Sequence, residues 1–275
     1  ETDAIRTRME AAILSLSPGT EALQPKEISP NVYRAELENA TVLRARVVMP
    51  LSGSAAAQEN AALAAAQFQN VRLEAGERLS FNQTVGLRTD ESGYVQAEEP
   101  AYGQDVSGIG GGVCQVSTAL YRLALLGRLE VAERSAAVYP VSYCEAGQEA
   151  AVSDQGLDLV FVNNTQTPLF LTARVYGTDD GQTMELQLIG QPTDGRFALE
   201  SEIETIDAPD EPVYVRDSEG RYATYTDERI PVGEAMPGYR ATVKRINEST
   251  GQTEIISEDT YDAAAQIVYV GVQRR

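Results

Sequence analysis

The chain has 275 residues, 43% of them hydrophobic, with 22 Lys and Arg against 41 Asp and Glu, a formal net charge of −19. Such an anion surplus makes nucleic acid and anionic membrane surfaces poor partners, because both are bound through clustered cations. Histidine is absent, which excludes Ser-His-Asp and Cys-His catalysis, HExxH metal sites and every imidazole base or ligand.

Two cysteines, Cys114 and Cys144, are too few for a disulfide scaffold. Without CxxC spacing they do not point to zinc either, and no metal or cofactor is expected. No signal peptide or transmembrane run is recognisable, and the chain opens at Glu1 rather than methionine. We read it as a soluble segment of a longer protein, so targeting signals say nothing about location.

In chain order, Ala4, Ile5, Met9, Ala12, Ile13 and Leu16 repeat at three and four, as an amphipathic helix does, and Ser17-Pro18-Gly19 stops it. Residues 32 to 49 read as extended. Ser54 caps an alanine-rich helix running to Phe68. Val71 to Leu73 predicts a short strand and Glu74 to Glu77 a turn. A second helix is expected over about 113 to 126, followed by an alternating stretch, Leu129 to Arg134. Tyr139 to Cys144 reads as extended and Leu157 to Val162 as a strand. Leu169 to Tyr176 and Met184 to Ile189 flank a turn and predict a hairpin. Residues 201 to 262 hold 15 Asp and Glu against 6 Lys and Arg, a net of 6 − 15 = −9. There, short strand-like runs at 213–215, 222–225, 239–245, 254–257 and 267–271 suggest a small β module joined through the proline-containing segment 207–212.

The chemical interest lies in Gly110-Gly111-Gly112-Val113-Cys114-Gln115. Consecutive glycines are costly unless the backbone needs positive φ or a close approach. A thiol at the start of a helix sits where the macrodipole favours its anion. Cys114 is therefore a candidate nucleophile, with the amides of residues 112 to 114 as a candidate oxyanion pocket. Two other readings stand beside it: a small buried residue at a tight junction, and a disulfide to Cys144. Gln115 is a candidate for binding a ligand amide or for holding nearby backbone. Tyr94, Tyr139 and Tyr143 are candidates for an aromatic shelf, Glu149 and Asp158 for an acid pair. Asp179-Asp180-Gly181 reads as a plain turn rather than a calcium loop.

These residues carry a resemblance. The block from Gly110 to Thr118 with Leu120-Tyr121 is similar to the VanW-like family, named from vancomycin-resistance clusters. Leu79-Ser80-Phe81-Asn82 with Val85-Gly86, Gly93-Tyr94, Pro140 to Tyr143 with Gly147, and Asp158-Leu159 through Asn163-Asn164 follow in the family's order. The likeness runs from about Asn60 to Ala173. The tail, through Gly238-Tyr239, Val243-Lys244-Arg245, Gly251, Ser257, Asp259-Thr260-Tyr261 and Val270-Gly271, resembles a G5-type module. Where the family usually has histidine this chain has Ala137, and Glu149 stands for a usual aspartate. Ala57 stands for an arginine and Cys144 for an aliphatic residue.

The resemblance implies an α+β fold, a central helix-plus-antiparallel-sheet domain followed by a small all-β module. Residues 1–53 would be an N-terminal flank, the end of a peptidoglycan-binding-like domain; 54–197 the VanW-like domain; and 205–275 the G5-like module. It further implies an extracytoplasmic cell-envelope protein of Gram-positive type, anchored only in its parent protein. That protein would contact peptidoglycan, cell-wall glycan or surface partners without catalysis. Gly110, Gly111, Gly112, Gln115, Tyr94, Tyr143 and Glu149 are the expected ligand-binding residues, and Cys114 the expected catalytic one in the alternative reading, an enzyme on cell-wall peptide.

Overall fold

The structure, a computed structural model, describes residues 6–7, 10–11, 13–15, 42–101, 104–179 and 181–274, with side chains for all of these except 98–101 and 104–107. The chain divides into compact units of residues Glu1–Ala35 and Glu36–Arg275. In the first, Arg6, Thr7, Glu10, Ala11, Ile13 and Leu14 are helical, in keeping with the period-3.6 pattern there. The expected extended run before residue 42 lies outside the described residues.

The second unit is mostly β, with several antiparallel sheets around two longer helices. Strand β1 (Val42–Pro50) alternates: Ala45, Val47 and Met49 face inward while Arg46 and Val48 face out. Helix α1 (Ala55–Ala66) begins where Ser54 accepts from the Ala57 amide at 3.3 Å. Its buried face is Ala57, Asn60, Ala61, Ala64 and Ala65. With methyls on that face the helix lies close to its neighbours. Strands β2 (Val71–Leu73) and β3 (Arg78–Ser80), a one-turn helix α2 (Phe81–Val85) and a protruding hairpin β4–β5 (Gln96–Ala101, Gln104–Ile109) lead into helix α3 (Cys114–Leu126). Ten of the thirteen residues of α3 are buried, so it is a central core helix rather than an amphipathic surface one.

Strands β6 (Glu130–Glu133) and β7 (Val160–Val162) pair with β3 in the order β3-β7-β6. The hairpin β8–β9 (Leu169–Thr178, Gly181–Gly190) forms as the sequence predicts and completes the sheet β1-β9-β8-β2. Helix α3 packs on β1 and β9, and α1 on β8. Phe68, Phe81, Leu120, Phe161, Leu171 and Leu186 belong to one contiguous apolar cluster between them.

Beyond it lie strands β10 (Phe197–Ile206), β11 (Val213–Asp217), β12 (Arg229–Val232), β13 (Gly238–Asn247), β14 (Thr253–Tyr261) and β15 (Ile267–Gly271). They make two three-stranded sheets, β10-β13-β14 and β11-β15-β12, the second with a parallel β11–β15 pair. Three expectations need correcting. Tyr222 to Tyr225 is a turn with a single bridge, Tyr225 to Gln273. Tyr139 to Cys144 is a series of bends rather than an extended run. Strand β10, unread because glutamate recurs along it, pairs with β13 over its full length. Its glutamates face solvent, and two of them meet cations of β13 in the Glu202–Lys244 and Glu204–Arg240 pairs.

Candidate functional site

The glycine run is shaped by three neighbours. Gly110 and Gly112 have φ of +83° and +100°, in the region that L side chains avoid. A Cβ at Gly110 would come within 2.9 Å of Arg88 Cβ, and one at Gly111 within 2.9 Å of the Ala97 carbonyl oxygen. At Gly112 it would collide with the carbonyl of Ala57 in α1. Asn60, buried in α1, donates to Gly111 O and Val95 O, both at 2.9 Å, and accepts from Val95 N. Close approach to backbone is thus the reason for Gly111 and Gly112, and positive φ against the Arg88 side chain the reason for Gly110. The Val113 amide, one of the expected oxyanion donors, bonds Gly110 O at 3.2 Å.

Cys114 is the first residue of α3 and is half-buried. Its thiol donates to Val152 O at 3.5 Å. No disulfide joins Cys114 to Cys144. The polar side chains that follow bind the chain's own loops. Gln115 accepts from Ser52 N at 2.8 Å and donates to Ser52 O at 3.1 Å. Ser117 donates to Ala150 O at 2.6 Å, and Thr118 accepts from Ala150 N at 3.1 Å. The structure places Gln115 on nearby backbone.

Beside this junction, Arg88 is buried between loops. It pairs with Asp154 at 2.7 Å and donates to Asn82 Oδ1 at 2.8 Å. Tyr94 is 2% exposed, and burial raises its phenol pKa. It therefore has no open ring face for the expected shelf. Asp158 accepts from Ser80 Oγ at 2.5 Å and from the Asn82 amide at 2.9 Å, fixing the start of α2.

Glu149 lies elsewhere, fully buried in a second polar cluster. It accepts from Gly147 N at 2.9 Å, from Ala137 N at 3.3 Å and from the hydroxyl of Tyr261 at 2.5 Å. Arg134 donates to the Glu149 carboxylate at 3.3 Å, and its other arm holds both oxygens of Asp259 at 2.6 Å. Its guanidinium also stands 5.1 Å above the Tyr121 ring. Cys144 is near enough to feel this charge: burial, then the Glu149 carboxylate, push its thiol up to about 12. Burial and the Glu149 contact likewise raise the Tyr261 phenol. Tyr143 is half-buried and packs against the main apolar cluster. Glu149 and Asp158 thus bond to different partners. The structure assembles two sites where the sequence suggested one: the glycine–cysteine junction, and a cluster of Arg134, Glu149, Asp259 and Tyr261. Of the latter, only Glu149 was anticipated. The signal for Asp259 and Tyr261 was the Asp259-Thr260-Tyr261 motif of the tail, which on sequence grounds belonged to a separate module, and Arg134 carried no signal.

A mostly β unit with a buried helix entered through a Gly-Gly-Gly-Val-Cys-Gln turn defines the class. Residues 56–187 match the family described as "VanW like protein", so this stretch is similar to VanW-like proteins. It is 34% identical over 126 residues to the uncharacterized protein YoaR of Bacillus subtilis (strain 168), a match covering 46% of this chain and 42% of that protein. The chain thus spans about two fifths of that curated relative's length. Among solved structures it is similar to the G5 domain of IgA1 protease (21% identity, 28% of this chain, 89% of that one, TM-score 0.19). It is also similar to the G5 region of HP0197 (15% identity, 28% of this chain, 100% of that one, TM-score 0.15). At TM-scores this low the likeness carries no argument about fold or ligand.

Proposed function

We propose that the chain is an extracytoplasmic cell-envelope module that contacts peptidoglycan or cell-wall glycan and performs no chemistry of its own. In this reading residues 54–197 are an α+β VanW-like domain and 205–275 a small all-β G5-like module, following the flank 1–53. The match of residues 56–187 to the VanW-like family and the G5-type motifs of the tail support the envelope setting. One observation carries the non-catalytic part: the Cys114 thiol donates to the Val152 carbonyl while Gln115, Ser117 and Thr118 hold the chain's own loops.

The face offered to a glycan is the Tyr269 side of the β11-β15-β12 sheet. Tyr222 stacks on Tyr269 of β15 at 4.5 Å between centroids, and Tyr222 is 42% exposed. Amphipathic rings of this kind suit ligands with one apolar face and a polar rim. Sedimentation of the protein with purified peptidoglycan sacculi is the test. Wild type should co-sediment, and Tyr222→Ala should weaken retention severalfold. Wild-type protein left in the supernatant overturns the binding reading.

A second reading, a cell-wall peptide-modifying enzyme with Cys114 as nucleophile, is favoured by the half-buried position of that thiol at the N-terminus of α3. It predicts rapid alkylation of Cys114 by iodoacetamide at neutral pH. The binding reading predicts that Cys114 labels no faster than an ordinary thiol.

A further inference from the structure

The loop from Arg134 to Glu149 touches every strand of the β10-β13-β14 sheet. Gln148 donates to Ser201 Oγ on β10 at 3.1 Å. Gly147, at φ +86°, lies so close to β13 that a Cβ there would stand 2.6 Å from Val243 Cγ2. Asp259 and Tyr261 of β14 supply a carboxylate and a hydroxyl to Arg134, Gly147 N and Glu149. The apolar part of this contact is small: Ala146, Ala241 and Tyr261, with Tyr239 at its edge. Its polar part is dense and dry, since the side chains of Arg134 and Asp259 are only 8% and 14% exposed and that of Glu149 is 0% exposed. A second contact lies at the far end of α3, where Arg245 of β13 donates to Leu125 O at 2.8 Å.

We propose that Arg134, Glu149, Asp259 and Tyr261 form a latch that joins the 134–149 loop and the β10-β13-β14 sheet into one cooperative unit. The Asp259-Thr260-Tyr261 strand acts as an internal ligand of the loop. The reasoning is about what partial opening would cost. Lifting β14 away leaves Arg134 and Glu149 facing each other at 3.3 Å without Asp259 or the phenol. A buried ion stripped of one partner is strongly unfavourable, and a buried amide such as that of Gly147 also loses an acceptor. Intermediate states with the sheet intact but undocked are therefore disfavoured, and the loop and sheet open together. This goes beyond glycan contact: it makes the orientation of the C-terminal sheet a fixed property of the molecule rather than a matter of linker flexibility. It stands whether or not sacculi are bound.

The test is hydrogen–deuterium exchange of the full chain in increasing denaturant, read by mass spectrometry, which resolves cooperative opening units. In the wild type, peptides covering 134–149 and 253–261 should exchange with the same denaturant dependence and converge on one opening. Tyr261→Phe, which removes only the hydroxyl, should speed exchange in both segments by roughly tenfold and leave the β8–β9 hairpin unchanged. Arg134→Lys, which keeps the charge and loses the fork, should do the same to a similar extent. The proposal is overturned if the wild-type segments open independently. It is equally overturned if either variant loosens 253–261 while 134–149 keeps its wild-type rate. The wild-type measurement decides the matter alone should a variant fail to fold.

Discussion

The two parts of the 36–275 unit are held by different forces. From β1 to β9, helices α1 and α3 and the sheets β1-β9-β8-β2 and β3-β7-β6 enclose one contiguous apolar cluster in which Phe68, Phe81, Leu120, Leu169 and Leu186 are fully buried. From β10 to β15 the strands are as long, yet Ile203, Val213, Tyr214 and Ile255 stand more than half exposed. Only a handful of apolar side chains seals that part against its neighbour. The first region is stabilised by area removed from water, which is non-directional and tolerant of small shifts. The second is positioned by ion pairs and hydrogen bonds, which are directional and fail when one group is lost. Burial thus fixes that the first region folds, while geometry fixes where the second one sits.

The largest effect that would separate the regions is a matched pair of glycine substitutions. Gly112→Ala forces a methyl into the Ala57 carbonyl at φ +100°. Strain and overpacking together should cost about 4 kcal/mol, seen as a lower denaturation midpoint. Gly251→Ala sits at φ +71° in the β13–β14 turn with nothing within 4 Å, so only the backbone penalty of about 1 kcal/mol applies. Equal losses at both positions would mean that packing is no tighter in the first region than in the second.

Acid probes the first region's own ionic feature. Glu185 of β9 is 1% exposed, and burial alone would raise its pKa. Hydrogen bonds from Arg46, Arg174 and Gln187 outweigh this and hold the carboxyl at about 2. Because its folded pKa is depressed, its contribution is complete above the ordinary carboxylate pKa and is lost as pH falls toward 2. Thermal midpoints of wild type should therefore drop across that window. Glu185→Gln should start lower at neutral pH and drop less. Parallel curves for the two proteins would remove Glu185 from the account. The smallest expected effect is Ser54→Ala, which deletes the cap of α1 and should cost about 1 kcal/mol by the same denaturation assay.

How much of this was legible in the residues depended on range. Local signals carried: the Ser54 cap, the alanine face of α1, the β8–β9 hairpin and the glycine entry to α3 all followed from neighbours in sequence. Strand β10 was hidden because Glu200, Glu202 and Glu204 break up any apolar run, although a strand that faces solvent on one side tolerates them. The candidate site was half legible. Gly110 to Gln115 stood out because glycine cost demands a reason. That the reason was Asn60 and Ala57, some fifty residues earlier, rests on tertiary contact. Arg134 and Tyr261 were beyond reach because their meaning lies in each other's company, 127 positions apart (261 − 134). No periodicity reports such a pairing.

Strand β15 has a consequence for the timing of assembly. It lies between β11 and β12, which do not pair with each other. Both wait, with their hydrogen-bonding edges open, until residues 267 to 271 arrive. A chain emerging from its N-terminal side can complete the α3 core and even the β10-β13-β14 sheet while this last sheet is still two loose ribbons. Long-range closure of that kind is slow and leaves strand edges open to other chains in the interval. The face that carries Tyr222 and Tyr269 therefore becomes competent last, after everything that anchors it.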